Sequence, residues 1–117
     1  MSASRGSAAL QAALVFAALG DTTRLSLVRR LSTEGPLSIT RLSEGSGITR
    51  QAITRHLHAL ENVGLVRDTK EGREHVFSLD LKRLEVARKY LDHVSAQWDA
   101  AASRLKAFVE KDEGSSL

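Results

Sequence analysis

Cysteine is absent from the 117 residues, which excludes a disulfide framework, a thiolate metal site and a cysteine nucleophile. Aromatic residues are only 4%, with one Trp, one Tyr and three Phe. The core is therefore built mainly from Leu, Val and Ala, a composition that favours helices over a β-sandwich or barrel. No apolar run approaches the roughly 20 residues that cross a bilayer. The run Ala12–Leu19 follows Arg5 in the order of a short secretion leader. Gln11 interrupts it, however, and its pattern continues into further helix, so it reads as part of a cytoplasmic protein's fold. Catalytic patterns are missing as well. No nucleophile–base pair, phosphate loop or set of carboxylates at usable spacing is present, so neither an enzyme nor a cofactor is expected.

What is present is an uneven charge. The net charge is +3. Between Thr22 and His58 there are six Arg (24, 29, 30, 41, 50, 55) against two acids, Glu34 and Glu44. From Ala59 onward, ten Lys/Arg face eleven Asp/Glu. One segment thus carries the positive excess, which suits a polyanionic partner.

Punctuation divides the chain into short elements. A first helix, about Ala8 to Leu19, is apolar on nearly every side and needs burial all round. Gly20 stops it, and Asp21 caps a second helix, Thr22 to about Thr33, with Leu25, Val28 and Leu31 as its stripe. After the break at Gly35-Pro36, Ser38 caps a third helix carrying Ile39 and Leu42, which ends at Glu44-Gly45-Ser46-Gly47. Thr49 caps a fourth, Arg50 to Asn62, which stops at Gly64.

Leu65–Thr69 and Glu74–Leu79 then read as a hairpin turning at Lys70-Glu71-Gly72-Arg73, with Leu65, His75, Phe77 and Leu79 on its packed face. A last helix runs from Asp80 to about Glu110. The expected fold is mainly α with a small β-hairpin: four helices, two strands and a final helix in the order of a winged helix-turn-helix. A single domain spans 8–110, with flexible tails at 1–7 and 111–117.

The fourth helix carries the functional signal. At about 100° per residue, Arg50, Gln51, Thr54, Arg55, His58 and Glu61 share one side. Ala52, Ile53, Leu57, Ala59, Leu60 and Val63 share the other, where His56 is the exception. Arg forms bidentate pairs with guanine, Gln with adenine, and Thr offers a hydroxyl and a methyl. These residues sit in the first turns, where a recognition helix meets base edges. Thr49, Arg50, Gln51, Thr54 and Arg55 are therefore expected to read a major groove of double-stranded DNA, and His58 to reach a phosphate. Lys70 and Arg73 flank Gly72 at the hairpin tip and are placed to contact a neighbouring groove or phosphate.

The stretches Phe16-Ala-Ala-Leu-Gly-Asp-Thr-Thr-Arg24 and Ile48-Thr-Arg-Gln-Ala-Ile-Thr-Arg-His-Leu-His-Ala-Leu-Glu-Asn-Val-Gly-Leu-Val66 resemble the ArsR/SmtB family of bacterial winged-helix repressors. So do Glu71-Gly72-Arg73 and Phe77-Ser78-Leu79. The resemblance covers about residues 8–110. It implies a homodimer built on the first and last helices, bound to a palindromic operator and repressing transcription. Thr22 departs from the family's frequent proline, which costs a preorganised helix start. The last helix, with Trp98 and Leu105-Lys-Ala-Phe-Val-Glu110, looks like a subgroup encoded beside START-like ligand-binding proteins.

Apolar spacing in the two flanking helices agrees with a dimer. Leu84, Leu91, Val94, Trp98 and Leu105 recur at three- and four-residue steps, a seam for another helix. With Leu10 and Leu14 they form the expected subunit interface, since isologous dimers are the commonest oligomers.

Metal sensing is not expected. The family's third-helix site depends on cysteines, and Leu37–Leu42 has none. Asp92 and His93 are adjacent, and adjacent helix residues point about 100° apart. His56 and His58 point about 200° apart and cannot share an ion; His56 reads as a satisfied buried histidine. No pattern names a small-molecule effector. Two alternatives are a winged helix that contacts only protein, and a metal-responsive repressor with an atypical His/carboxylate site.

Overall fold

The computed structural model describes the backbone of residues 2–115 and the side chains of residues 7–112. Its elements in chain order are α1 (Ser2–Leu19), α2 (Thr22–Glu34), β1 (Leu37–Ser38), α3 (Ile39–Ser43), α4 (Arg50–Asn62), β2 (Val66–Glu71), β3 (Glu74–Leu79) and α5 (Leu81–Ser115). Two compact units result, one ending at Ala87 and one beginning at Arg88. Among the described residues, no helix is long and apolar enough to cross a membrane.

Side-chain caps set the helix starts where the sequence places them. Asp21, Ser38 and Thr49 each accept from the backbone amide three residues on, at 3.0, 3.1 and 3.1 Å. Each satisfies an amide that has no partner inside the helix. Both end helices run past their expected bounds. The expected tails, 1–7 and 111–117, lie largely outside the residues whose side chains are described.

The first unit is built around Leu27, Val28 and Leu31 of α2, Leu42 of α3, Ile53, Leu57 and Leu60 of α4, and Phe77 of β3. Leu42, Ile53, Leu57 and Leu60 are completely buried, each worth roughly 1.5–3 kcal/mol on transfer from water. Leu25, expected in this stripe, is exposed. Leu27, Val28 and Leu31 already span about 100° of the helix, and Leu25 lies about 60° beyond its edge. From α1, Val15 and Ala18 enter the same core while Leu10 and Leu14 face outward.

The sheet has three strands, not the two of a bare hairpin, in the order β1-β3-β2. Leu37 pairs with Phe77 and Ser38 with Val76, antiparallel. A two-residue strand carries no period, so its sequence could not announce it; it forms because β3 offers an open edge beside the start of α3. The hairpin is tighter than expected. Glu71 pairs with Glu74, leaving only Gly72-Arg73 as the turn. Gly72 has φ +62°, and among the described residues no non-glycine has positive φ, the sign pattern of a type II′ turn.

His75 corrects the packed-face expectation. Alternation does place it with Phe77 and Leu79 on the inner face, but it is exposed. It borders an open cleft lined also by Thr40 and Arg50, and His75 Nδ1 pairs with Asp68 at 3.0 Å instead.

α5 begins where the Asp80 carboxylate accepts from the Lys82 amide at 3.0 Å. Arg67 Nη2 donates to the same side chain at 3.1 Å. Both contacts hold its carboxyl below the usual carboxylate range, the Lys82 amide most strongly. Leu84 and Ala87 pack against the first unit's core. Leu84, expected at a subunit interface, is thus half-buried within its own chain. The seam expected from α5 is exposed only from Leu91 onward, through Val94, Trp98 and Leu105.

Candidate nucleic-acid interface

α4 separates its two faces cleanly. Ile53, Leu57 and Leu60 are fully buried, while Thr49, Arg50, Gln51, Arg55 and His58 are exposed and Thr54 is half-buried. Lys70 and Arg73 are exposed at the wing. All eight residues expected to contact DNA are therefore outside the core.

Within that surface their commitments differ. The Thr49 hydroxyl oxygen accepts from the Ala52 amide, so this residue is a cap first. The Thr54 hydroxyl donates to the Arg50 carbonyl at 2.8 Å, which leaves its oxygen able to accept. Arg50 reaches off its own helix, and its Nη1 donates to Thr40 Oγ1 of α3 at 3.0 Å. The side chains of Gln51, Arg55, His58, Lys70 and Arg73 make no hydrogen bond or ion pair among the described residues.

The structure also joins residues that the sequence kept apart. Thr40 and Arg50 of the helix-turn-helix line one cleft of about 300 Å³ with Arg73, Glu74 and His75 of the wing. Thr40 was missed as part of this surface. Its only sequence signal is a hydroxyl ten residues before an arginine, which no helical or strand period connects.

The inner side of α4 is held by a second polar group. Arg24 Nε donates to the Ala18 carbonyl at 2.6 Å, and its Nη1 lies 3.4 Å from His56 Nδ1. An arginine can only donate, so the His56 nitrogen is the acceptor. Asp21 accepts from the Arg24 amide, and that bond leads the effects that lower its pKa, followed by the Arg24 charge. The end of α1, the start of α2 and the one polar residue on α4's apolar side are thereby tied together. This explains the Gly-Asp-Thr-Thr-Arg stretch as a scaffold, not as part of the DNA-facing surface.

Among the described residues, no three His, Asp or Glu side chains converge. His93 Nε2 lies 3.3 Å from Gln97 on its own helix.

Comparison with known proteins agrees with this geometry. The helix-turn-helix domain family matches residues 19–69. The HTH-type transcriptional regulator Rv2034 of Mycobacterium tuberculosis is 37% identical over 95 residues, covering 81% of this chain and 85% of that protein. The arsenical resistance operon repressor of Escherichia coli K12 is 30% identical over 95 residues, covering 81% and 79%. An ArsR-like transcriptional regulator from Rhodococcus sp. RHA1 superimposes with a TM-score of 0.73 at 33% identity, over 85% of this chain and 92% of that one.

The chain belongs to the ArsR/SmtB family. As a member it is a winged helix-turn-helix transcriptional regulator that binds DNA, and not an enzyme. In ArsR/SmtB terms, α3 and α4 are the helix-turn-helix and β2–β3 the wing. The expected winged-helix fold is present, with β1 as an addition.

Proposed function

We propose that this protein is a homodimeric cytoplasmic repressor that binds a palindromic operator, with α4 in the major groove. The observation that carries this reading is the division of α4. Three side chains on one face are sealed in the core, while Gln51, Arg55 and His58 stand exposed without intramolecular partners. A helix docked this rigidly can present a fixed set of donors and acceptors to base edges.

Gln51, Thr54 and Arg55 read bases, Thr49 and Arg50 meet the DNA at the helix start, His58 approaches a phosphate, and Lys70 and Arg73 contact the backbone from the wing. The second copy supplies the other half-site. Dimerisation is supported by exposed Leu10 and Leu14 on α1 and by exposed Leu91, Val94, Trp98 and Leu105 on α5, an amount of apolar surface that calls for a partner.

Selection of bound fragments from random duplex DNA tests the whole reading. A palindrome with half-sites about one helical turn, or a multiple of it, apart is the expected product. Enrichment of single, non-repeated sites would leave the DNA contact and remove the dimer. Absence of any enriched sequence, with salt-insensitive binding, would remove both.

A further inference from the structure

The cleft between the helix-turn-helix and the wing has a composition of its own. Arg50 enters it from the first residue of α4, and Arg73 from the hairpin turn. Glu74 lines it as well. Two guanidinium groups and one carboxylate leave one net positive charge. A phosphodiester carries a single negative charge. The Thr40 hydroxyl accepts from Arg50 Nη1 at 3.0 Å and holds that guanidinium on the α3 side of the cleft. The remaining guanidinium N–H groups stay available, since arginine has five donors in a planar fork.

Resting on the DNA-binding reading above, we propose that this cleft seats one backbone phosphate of the bound duplex. Arg50 and Arg73 grip it from the helix and wing sides, and Thr40 is the positioning residue for Arg50. Arg50 then serves register and affinity, not base choice, and base reading falls to Gln51, Thr54 and Arg55. The proposal alters the role that residue type alone suggests for Arg50, because guanine is the commonest specific base partner of arginine. The wing gains a definite role too, because its turn arginine closes the second side of a phosphate seat whose first side is built on α3 and α4. Glu74 weakens the grip from within the cleft and keeps general affinity in check.

The test uses the full-length protein, its selected operator duplex and an unrelated duplex, with affinity measured across a salt series. Arg50→Ala and Arg73→Ala are each expected to weaken both duplexes by the same factor, about tenfold. Each is also expected to lower the log–log salt slope by about 0.9 for every phosphate no longer neutralised, with base preferences in a repeated selection unchanged. Because Arg50 opens α4, Arg50→Gln is measured beside it; glutamine is a good helix former and cannot neutralise a phosphate.

Glu74→Gln is expected to tighten both duplexes. Thr40→Val is expected to weaken both, Thr40→Ser to restore them, and Thr40→Val to add nothing once Arg50 is alanine. A merely structural Thr40 gives losses that add in the double variant. A shift in base preference at one position on Arg50→Ala or Arg50→Gln overturns the proposal, as does an unchanged salt slope. Either of those outcomes leaves DNA binding by the wild type intact, whereas a wild type without salt-dependent DNA binding sinks both readings together.

Discussion

The Leu65 amide donates to the Leu60 carbonyl at 3.0 Å, across the end of α4, and both side chains are completely buried. The Gly64 amide donates to the Glu61 carbonyl at 2.9 Å inside the same loop. These two bonds and the apolar pair make a Schellman closure, with Gly64 at φ +78° as its left-handed residue. The closure fixes the angle at which the recognition helix hands the chain to the wing. A Cβ at Gly64 would also stand 2.9 Å from Arg83 Cγ. Gly64→Ala is expected to destabilise the fold by about 1–2 kcal/mol from the left-handed conformation, with a further loss from displacing Arg83. Urea unfolding checks it. Adding Arg83→Ala should recover the second part and not the first.

Gln51 stands one position into α4, exposed and without an internal partner. A residue that reads adenine in the major groove loses discrimination at one base pair when truncated. Gln51→Ala is expected to relax preference at a single position of each half-site by about 1–3 kcal/mol. Lys70→Ala, a change on the wing, should instead lower affinity for all sequences alike. A binding scan over single-base operator variants separates the two behaviours, and unchanged preferences in the Gln51 variant would show that this residue does not read a base.

Trp98 is the only tryptophan in the chain and is 72% exposed in the single subunit. If α5 pairs with its counterpart, dilution of the protein should shift Trp98 emission to longer wavelength as dimers separate. Removing a buried large aromatic costs about 3–5 kcal/mol. Trp98→Ala is therefore expected to raise the dimer dissociation constant at least about tenfold in sedimentation, and Leu105→Glu to yield monomers. Concentration-independent emission together with a monomeric wild type would count against the dimer.

Acid should act through two caps. The Arg24 amide, and after it the Arg24 charge, lowers the Asp21 pKa from its ordinary value of 3.8. The Lys82 amide, and after it Arg67, does the same for Asp80. A carboxyl depressed in the folded state contributes stability that is fully present above its unfolded value. That contribution is lost as pH falls through the lower folded value. Chemical denaturation as a function of pH should thus show stability falling below about 3.8. The fall should be shallower in Asp21→Asn/Asp80→Asn, because asparagine still caps a helix but does not titrate. Parallel pH curves for the two proteins would contradict this account.

Much of this was legible in the sequence because its signals are local. Thr49, Gly64 and the period of Ile53, Leu57 and Leu60 define α4 without any tertiary information. The Gly72 turn similarly announces the wing. Among the features that escaped, three did so for the same kind of reason. β1 depends on an open edge forty residues away, so nothing in Leu37-Ser38 itself marks a strand. His75 obeys the strand alternation, but that it borders an open cleft and not the packed core is a tertiary fact. The Thr40–Arg50 bond joins two helices across the turn, and neither residue's neighbours hint at it. Leu84 shows the opposite limit: the seam continues through it in sequence, and only the fold reveals that its own core takes it up.

Thr49 offers a way to separate the architecture of α4 from its contact with DNA. Its oxygen caps the helix by accepting from the Ala52 amide at 3.1 Å, while the residue stays exposed at the end of α4 that faces the duplex in the proposed complex. Thr49→Ala removes both roles and should cost about 1 kcal/mol of stability. Thr49→Asp removes only one. Aspartate caps at least as well as threonine, and its charge suits a helix N-terminus, so thermal stability should match or exceed that of the wild type. The same charge would lie against phosphates and repel them, and affinity for every DNA sequence should fall by at least about tenfold. Stability held and binding lost, measured on one variant by thermal unfolding and DNA titration, is the signature of a helix start that sits on the backbone of the duplex. If Thr49→Asp binds DNA as the wild type does, this end of α4 faces away from the phosphates and the docking geometry must be redrawn.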